Sequence, residues 1–187
     1  MKPSTLRLKM PTKPFPQSFW VHDELLCAGC YPGDKNPATF DDKLSTMLDC
    51  GVRRVVSLME DDETDHSGQR FKPYMPRLQE LAGERGLDVD WLNMPIRDGG
   101  VPDSATMTRI LKVVEAGLEA GTPTYVHCWG GHGRTGTVVA CHLIERGHTP
   151  QQAIEMLTGF RAGLPKNHYP FEGDQERFVR SWAASEQ

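Results

Sequence analysis

The chain has 187 residues, 38% of them hydrophobic and 25% charged, with a net charge of −4, which suits one soluble domain with a real core. No apolar run approaches the ~20 residues that a membrane helix requires, and the lysine-bearing N-terminus has no apolar stretch behind it. A membrane partner and a secretory signal are therefore not expected, and a cytoplasmic location is. Residues 1–19 hold Lys2, Arg7, Lys9 and Lys13 and no acid, so the net charge of the remainder is −8, which argues against a nucleic-acid surface.

Residues 1–17 carry Pro3, Pro11, Pro14 and Pro16 without periodicity and read as a basic tail or surface strap, leaving 18–187 as the domain. A strand is expected at 25–28, ending in the turn Tyr31-Pro32-Gly33-Asp34. Phe40, Leu44, Met47 and Leu48 share a helical face closed by Gly51, and a buried strand follows at 54–59. Tyr74, Leu78, Leu81 and Ala82 mark a second helix before Gly86, then a strand at 89–94. Met107, Ile110, Leu111, Val114 and Leu118 give a third helix, then a strand at 124–127. Beyond Cys128 only helices are expected: a buried one at 135–145, one capped by Thr149-Pro150-Gln151-Gln152 that runs through Phe160, and a last one around Phe178 and Trp182. The alternation predicts an α/β fold, a mostly parallel sheet of four to five strands flanked by helices, with a helical C-terminal third.

Five cysteines argue against a disulfide framework and for a reducing compartment. Cys27 and Cys30 form a C-x-x-C, but a zinc site wants a second pair or histidines at ligand spacing, and neither is evident. The strand-then-turn context also differs from a redox motif that opens a helix. The pair reads as two small buried or half-buried thiols.

The chemistry concentrates in Val126-His127-Cys128-Trp129-Gly130-Gly131-His132-Gly133-Arg134-Thr135-Gly136. The cysteine ends a strand, three glycines fill the loop, and the arginine opens a helix. A glycine-rich turn into a helix N-terminus points backbone N–H groups inward, making a nest for a tetrahedral anion. Arg134 can return to that nest and hold two phosphate oxygens. The same positive field favours a thiolate at Cys128, aligned for in-line attack on phosphorus. Trp129, Gly130, Gly131, His132, Gly133 and Arg134 are the expected phosphate-binding residues, although Trp129 and His132 serve equally as space fillers at the rim. His127 supports the loop. Thr135 either donates its hydroxyl to the departing sulfur or is an ordinary first-turn threonine.

Expelling an alkoxide or phenoxide also needs a general acid. Asp88 and Asp90 flank or lie in a strand and should face solvent, and an N-cap accounts for Asp103. Asp98, in Pro95-Ile96-Arg97-Asp98-Gly99-Gly100, leaves the same sheet edge as Cys128 and is the preferred acid. Gln175 is a candidate for positioning water, but reads first as a surface residue.

At these residues the chain resembles the cysteine-dependent dual-specificity protein phosphatases. The loop His127-Cys128-x5-Arg134-Thr135 and Asp98, 30 residues before the cysteine, carry the likeness. Pro95-Ile96-x-Asp98-Gly99-Gly100-x-Pro102-Asp103 is most similar to the kinase-associated phosphatase (cyclin-dependent kinase inhibitor 3) type. The resemblance implies a protein-tyrosine-phosphatase-like fold, a cysteinyl-phosphate intermediate, and no metal or other cofactor. It implies phosphorylated proteins or small phosphomonoesters as substrates, with phosphotyrosine and phosphoserine/threonine both open. Trp129 and His132 depart from the pattern, so substrate preference stays open, and no kinase partner is carried over. Lys166-Asn167-His168-Tyr169 resembles a recognition loop of the tyrosine-specific enzymes, yet it follows the catalytic loop and so reads as coincidence. The rival readings are a phosphoinositide phosphatase, which often has lysines inside the loop, and a non-catalytic phosphate-binding module. An RNA 5′-triphosphatase and an arsenate reductase or rhodanese-like protein fit less well.

Overall fold

The computed structural model describes residues 13–165, 171 and 173–182. Most of the expected basic tail, and Lys166-Asn167-His168-Tyr169, lie outside these residues. The end of the tail is packed: Phe15 is buried and sits edge-on to Tyr125, with ring centroids 5.8 Å apart.

Five strands form one sheet: β1 (Ser18–His22), β2 (Leu26–Gly29), β3 (Arg54–Ser57), β4 (Asp90–Asn93) and β5 (Thr124–His127). Their order is β1-β2-β5-β3-β4; β1 is antiparallel to β2, and the other pairs are parallel. The described helices are α1 (Pro37–Asp49), α2 (Met75–Gly83), α3 (Ser104–Glu119), α4 (Gly133–Glu145), α5 (Pro150–Phe160) and α6 (Asp174–Ser181). The expected α/β architecture is present, with one strand more than the sequence reading marked out. β1 went unforeseen although Phe19 and Val21 alternate into the core, because its alternation is short and follows directly on the proline-containing tail. Other limits shift by a residue or two: β2 runs to Gly29, β3 stops at Ser57, and α4 begins at Gly133.

Because successive strand residues face opposite ways, the sheet sorts its side chains into two cores. Val56 and Val126 join Ile110, Val139 and Leu157 beneath α3, α4 and α5. Val55 and Tyr125 join Leu44, Met47 and Leu78 beneath α1 and α2. Covering helices on both faces are what allow a parallel sheet so little polar surface. α4 runs through the first core and is buried from Arg134 to Ile144. Thr149 caps α5 by the expected box: its hydroxyl accepts from Gln152 N, and the Gln152 side chain accepts from Thr149 N at 2.9 Å.

The parallel arrangement of β2, β5, β3 and β4 brings their C-terminal ends to one edge. The segments that follow all four strands leave from that edge, where ligand sites of open α/β sheets form.

Two histidines are locked inside this frame. His127 of β5 and His142 of α4 are buried, and His22 Nε2 lies 2.9 Å from His142 Nε2. Burial, the largest cause, pushes both His127 and His142 from 6.5 down to about 4; His22 and Arg146 act in the same direction on His142. The unfolded chain therefore binds two protons between pH 6.5 and 4 that the folded chain refuses. Stability contributed by the neutral rings is full above about pH 6.5 and is lost as pH falls toward 4. Carboxylates held below their ordinary range, such as Asp34 at about 2, act below this window. Urea unfolding is expected to show a lower midpoint at pH 5 than at pH 7; equal midpoints would contradict the buried neutral state.

Candidate active site

The segment that follows β5 turns back sharply into α4. Gly131 takes φ +71, and a Cβ there would lie 2.6 Å from the backbone nitrogen of Cys30, so only glycine fits between this loop and the end of β2. Tyr31 N donates to Trp129 O at 2.8 Å, continuing the parallel pairing of β2 and β5 past the strand ends. His132 is the N-cap position of α4, and Gly136 N donates to its carbonyl at 2.7 Å.

A cavity of about 440 Å³ opens at this edge. Cys128, Trp129, Gly130, His132, Gly133 and Arg134 line it from the loop, and Asp98 and Gly99 from the segment after β4. Gln17, Cys30, His66 and Gln175 complete the wall. Cys128 is 3% exposed, a thiol at the cavity floor rather than on a surface. Of the six residues expected to hold phosphate, five line the cavity. Gly131 does not; its place is the backbone wedge against β2.

Arg134 is 2% exposed and reaches across the sheet edge. Its Nη1 and Nη2 each lie 2.7 Å from an oxygen of Glu63, a bidentate pair, and Nη1 also donates to Leu58 O at 3.3 Å and Ile96 O at 3.1 Å. Asp98 Oδ1 lies 2.8 Å from Nη2. Burial, the largest influence, works to lower the Arg134 pKa, but Glu63 and the charges of Cys128 and Asp98 raise it overall. Because Glu63 takes the Nη1–Nη2 fork end-on and Asp98 meets the other side of Nη2, an anion reaches the Nε–Nη2 edge by displacing Asp98 from Nη2.

Asp98 sits where the sequence placed it, at the cavity mouth, with its side chain 58% exposed and Gly99 following at φ +69. Asp103 is an N-cap, accepting from Thr106 N at 2.6 Å, and Asp90 pairs with Arg54 at 3.2 Å. Asp88 is exposed. The Thr135 hydroxyl is buried without a hydrogen-bond partner among the described residues.

His127 supports the loop through both ring nitrogens. Its Nδ1–H donates to Cys128 O at 3.1 Å, which leaves Nε2 to accept from the Tyr74 hydroxyl at 2.6 Å. Gln175 corrects the surface expectation: it is 1% exposed, its Nε2 donates to Gly100 O at 3.2 Å, and it packs so closely on Gly133 that a Cβ there would lie 2.5 Å from Gln175 Oε1. Sequence reasoning missed Arg161 altogether. Buried at the end of α5, it donates from Nη1 to Gly131 O at 2.7 Å and from Nη2 to His132 Nδ1. Glu63 and His66 were also missed. Both belong to the hairpin after β3 that is joined by the Thr64–Arg70 bridge. That hairpin lays His66 and Phe71 against Trp129, with centroids 4.4 Å and 5.3 Å away.

Cys128 just before a helix N-terminus, the buried Arg134 and the half-exposed carboxylate of Asp98 thus meet in one cavity. Comparison with known proteins gives the family. Residues 29–168 match the family model described as Swiss Army Knife protein, DSP-PTPase phosphatase domain, and the chain belongs to that family. The chain is 38% identical over 114 residues to cyclin-dependent kinase inhibitor 3 of Sus scrofa, covering 60% of this chain and 50% of that protein. It is 30% identical over 132 residues to protein tyrosine phosphatase domain-containing protein 1 of Danio rerio, covering 68% and 17%. Matches to cyclin-dependent kinase inhibitor 3 span about half the length of those relatives. Among solved structures, kinase associated phosphatase with its catalytic-site cysteine changed to serine superimposes with a TM-score of 0.63 at 25% identity, covering 82% of this chain and 83% of that one. Tk-PTP in the active form superimposes at 0.62 and 22%, covering 88% and 94%.

Two outcomes follow from this geometry. Arg161→Ala removes the donors that shape the loop without touching the cavity floor, and aryl phosphate turnover is expected to fall by about 10²-fold, the scale of an ångström-level misplacement; a change in rate below twofold would deny Arg161 that positioning role. The second concerns Cys30, the one other cysteine that lines the cavity. It lies between the Gly29–His127 pair and the Tyr31–Trp129 hydrogen bond, beside Cys128 on the neighbouring strand. Parallel neighbours stand about 4.8 Å apart, within the roughly 4.4–6.8 Å that a disulfide spans. Hydrogen peroxide is expected to convert Cys128 to a sulfenic acid, which the Cys30 thiolate attacks to form a disulfide and release water. Peptide mass mapping should show the 30–128 crosslink, and a crosslink to Cys27, Cys50 or Cys141 in its place would refute the assignment.

Proposed function

We infer that the chain is a phosphatase that hydrolyses phosphomonoesters of tyrosine, serine or threonine through a cysteinyl-phosphate intermediate. The observation that carries this reading is the convergence of Cys128, Arg134 and Asp98 on one cavity, with Asp98 Oδ1 2.8 Å from the arginine.

Phosphate oxygens accept from the loop N–H groups and from the Nε–Nη2 edge of Arg134, displacing Asp98 from Nη2 and leaving its carboxyl beside the leaving oxygen. Cys128 Sγ attacks phosphorus in line, and the bond to the leaving oxygen breaks as protonated Asp98 supplies its proton. The resulting carboxylate then takes a proton from water, whose oxygen displaces sulfur from phosphorus. Thr135 follows Arg134 on the buried first turn of α4, and its unpartnered hydroxyl is suited to donate to the departing thiolate. Gln175, buried between Gly100 and Gly133, is suited to orient the water.

Protein phosphomonoesters are favoured over phosphoinositides because Arg134 and the rim histidines are the basic groups of the cavity wall, which has no lysine among the described residues. A neighbour of the same fold, PTPMT1 in complex with PI(5)P, has a TM-score of 0.60 at 22% identity and keeps the lipid reading as the runner-up.

Hydrolysis of a chromogenic aryl phosphate between pH 5 and 8, with a chelator present, tests the proposal. Cys128→Ser is expected to abolish turnover, and Asp98→Ala to reduce it by about 10²–10⁴-fold, the usual contribution of general acid–base catalysis. Full activity in Cys128→Ser would sink the mechanism.

A further inference from the structure

A second concavity, of about 390 Å³, is joined to the cavity by a run of aromatic rings that begins in one and ends in the other. The wall runs from Trp129 to Phe71 to Tyr31, with centroid steps of 5.3 Å and 4.9 Å. On its far side the groove is lined by Lys35 and Lys43 at the entry to α1, and by Arg70 and Lys72 on the return arm of the hairpin. Asp34 is the acid among its lining residues, and it pairs with Lys43 at 2.9 Å. Lys35 pairs with Asp65. Lys72 Nζ stands 4.2 Å above the Phe40 ring. Among the described residues no carboxylate lies within ion-pair distance of Arg70 or Lys72, and both are exposed.

The four lining cations and their ion-pair partners Asp34 and Asp65 sum to +2, on a chain whose net charge is −4; Asp41, paired with Arg77, also feels Lys72. The opposite arm of the same hairpin carries exposed Glu60, Asp61 and Asp62. The hairpin that walls the cavity with His66 is thus polarised, basic on the arm facing α1 and acidic on the other. A polarised rim steers and selects charged partners more than it adds raw affinity.

We propose that the groove of Lys35, Lys43, Arg70 and Lys72 is a subsite for acidic residues flanking the phosphorylated residue of a peptide substrate. This rests on the phosphatase reading and adds the substrate class. The two ring-to-ring steps along the wall correspond to about three residues of extended chain at roughly 3.3 Å each. A phosphorylated side chain in the cavity therefore puts a glutamate or aspartate two to four positions away over Arg70 and Lys72. Exposed ion pairs are individually weak, so the selection is graded rather than absolute.

Binding and turnover separate the two readings. Fluorescence anisotropy of the full chain carrying Cys128→Ser compares a phosphotyrosine peptide with glutamates on both flanks with the same peptide bearing glutamines. Tighter binding of the glutamate peptide by about 3- to 10-fold, reduced at high salt and lost in Arg70→Gln/Lys72→Gln, is expected. Turnover of a small aryl phosphate by the wild-type chain and by that double variant should be equal, since neither residue lines the catalytic cavity. Equal affinity for both peptides overturns the subsite whatever the turnover. Absent aryl phosphate turnover with the binding preference intact overturns only the catalytic reading. Arg70- and Lys72-dependent binding to phosphatidylinositol phosphate vesicles, with no preference between the peptides, assigns the groove to a membrane and overturns the proposal.

Discussion

One guanidinium holds the functional edge of this protein together. Arg134 begins α4, yet its hydrogen bonds reach Leu58 O and Glu63 after β3, and Ile96 O and Asp98 after β4. The segments after β3 and β4 both leave the sheet edge, and a side chain from the segment after β5 ties the two together. A cation so deeply buried is costly without a partner. Removing one member of a buried pair destabilises a protein by about 3–5 kcal/mol, a large share of the roughly 5–15 kcal/mol that a domain has. Glu63 is thus needed to keep the arginine charged and in place, and the arginine to keep the loops in register.

Around this tie, buried polar groups satisfy the backbone of the segments after β4 and β5, which pair there as neither sheet nor helix. Arg161 takes Gly131 O, His127 takes Cys128 O, and Gln175 takes Gly100 O. Each comes from a different element: α5, β5 and α6. A turn this irregular keeps one shape only if its carbonyls are paired, and here the pairing is supplied by the elements that build the two cores. Loop geometry and core packing are in this sense one problem.

Much of the architecture was legible in the sequence because it is written in local pattern. The periodicity of Phe40, Leu44, Met47 and Leu48 fixes α1, and Thr149 with Gln152 announces its own cap. Cys128, Arg134 and Asp98 were legible because glycines and strand ends surround them. What stayed hidden depends on contacts far apart in the chain. Glu63 ends the run Glu60-Asp61-Asp62-Glu63, which reads as a solvated turn, and only the fold brings it to an arginine 71 positions later. Arg161 looks like any cation at a helix end, and Gln175 like any polar residue near a helix start. β1 was hidden for another reason: its alternation spans five residues beside a proline-containing segment, too few to stand out. Gly131 was read only as part of the phosphate cradle, and the sequence did not show that its missing side chain also serves the contact with β2.

That contact bears on how the site can vary. Where Gly131 meets Gly29 and Cys30, two stretches of main chain touch with no side chain between them to yield. Side chains absorb displacement by changing rotamer, whereas backbone against backbone transmits it. The end of β2 and the loop after β5 therefore behave as one rigid part, and insertions or substitutions on either side must be matched on the other. Variation is freer at Trp129 and His66, where ring lies against ring and shape can be exchanged without moving the chain.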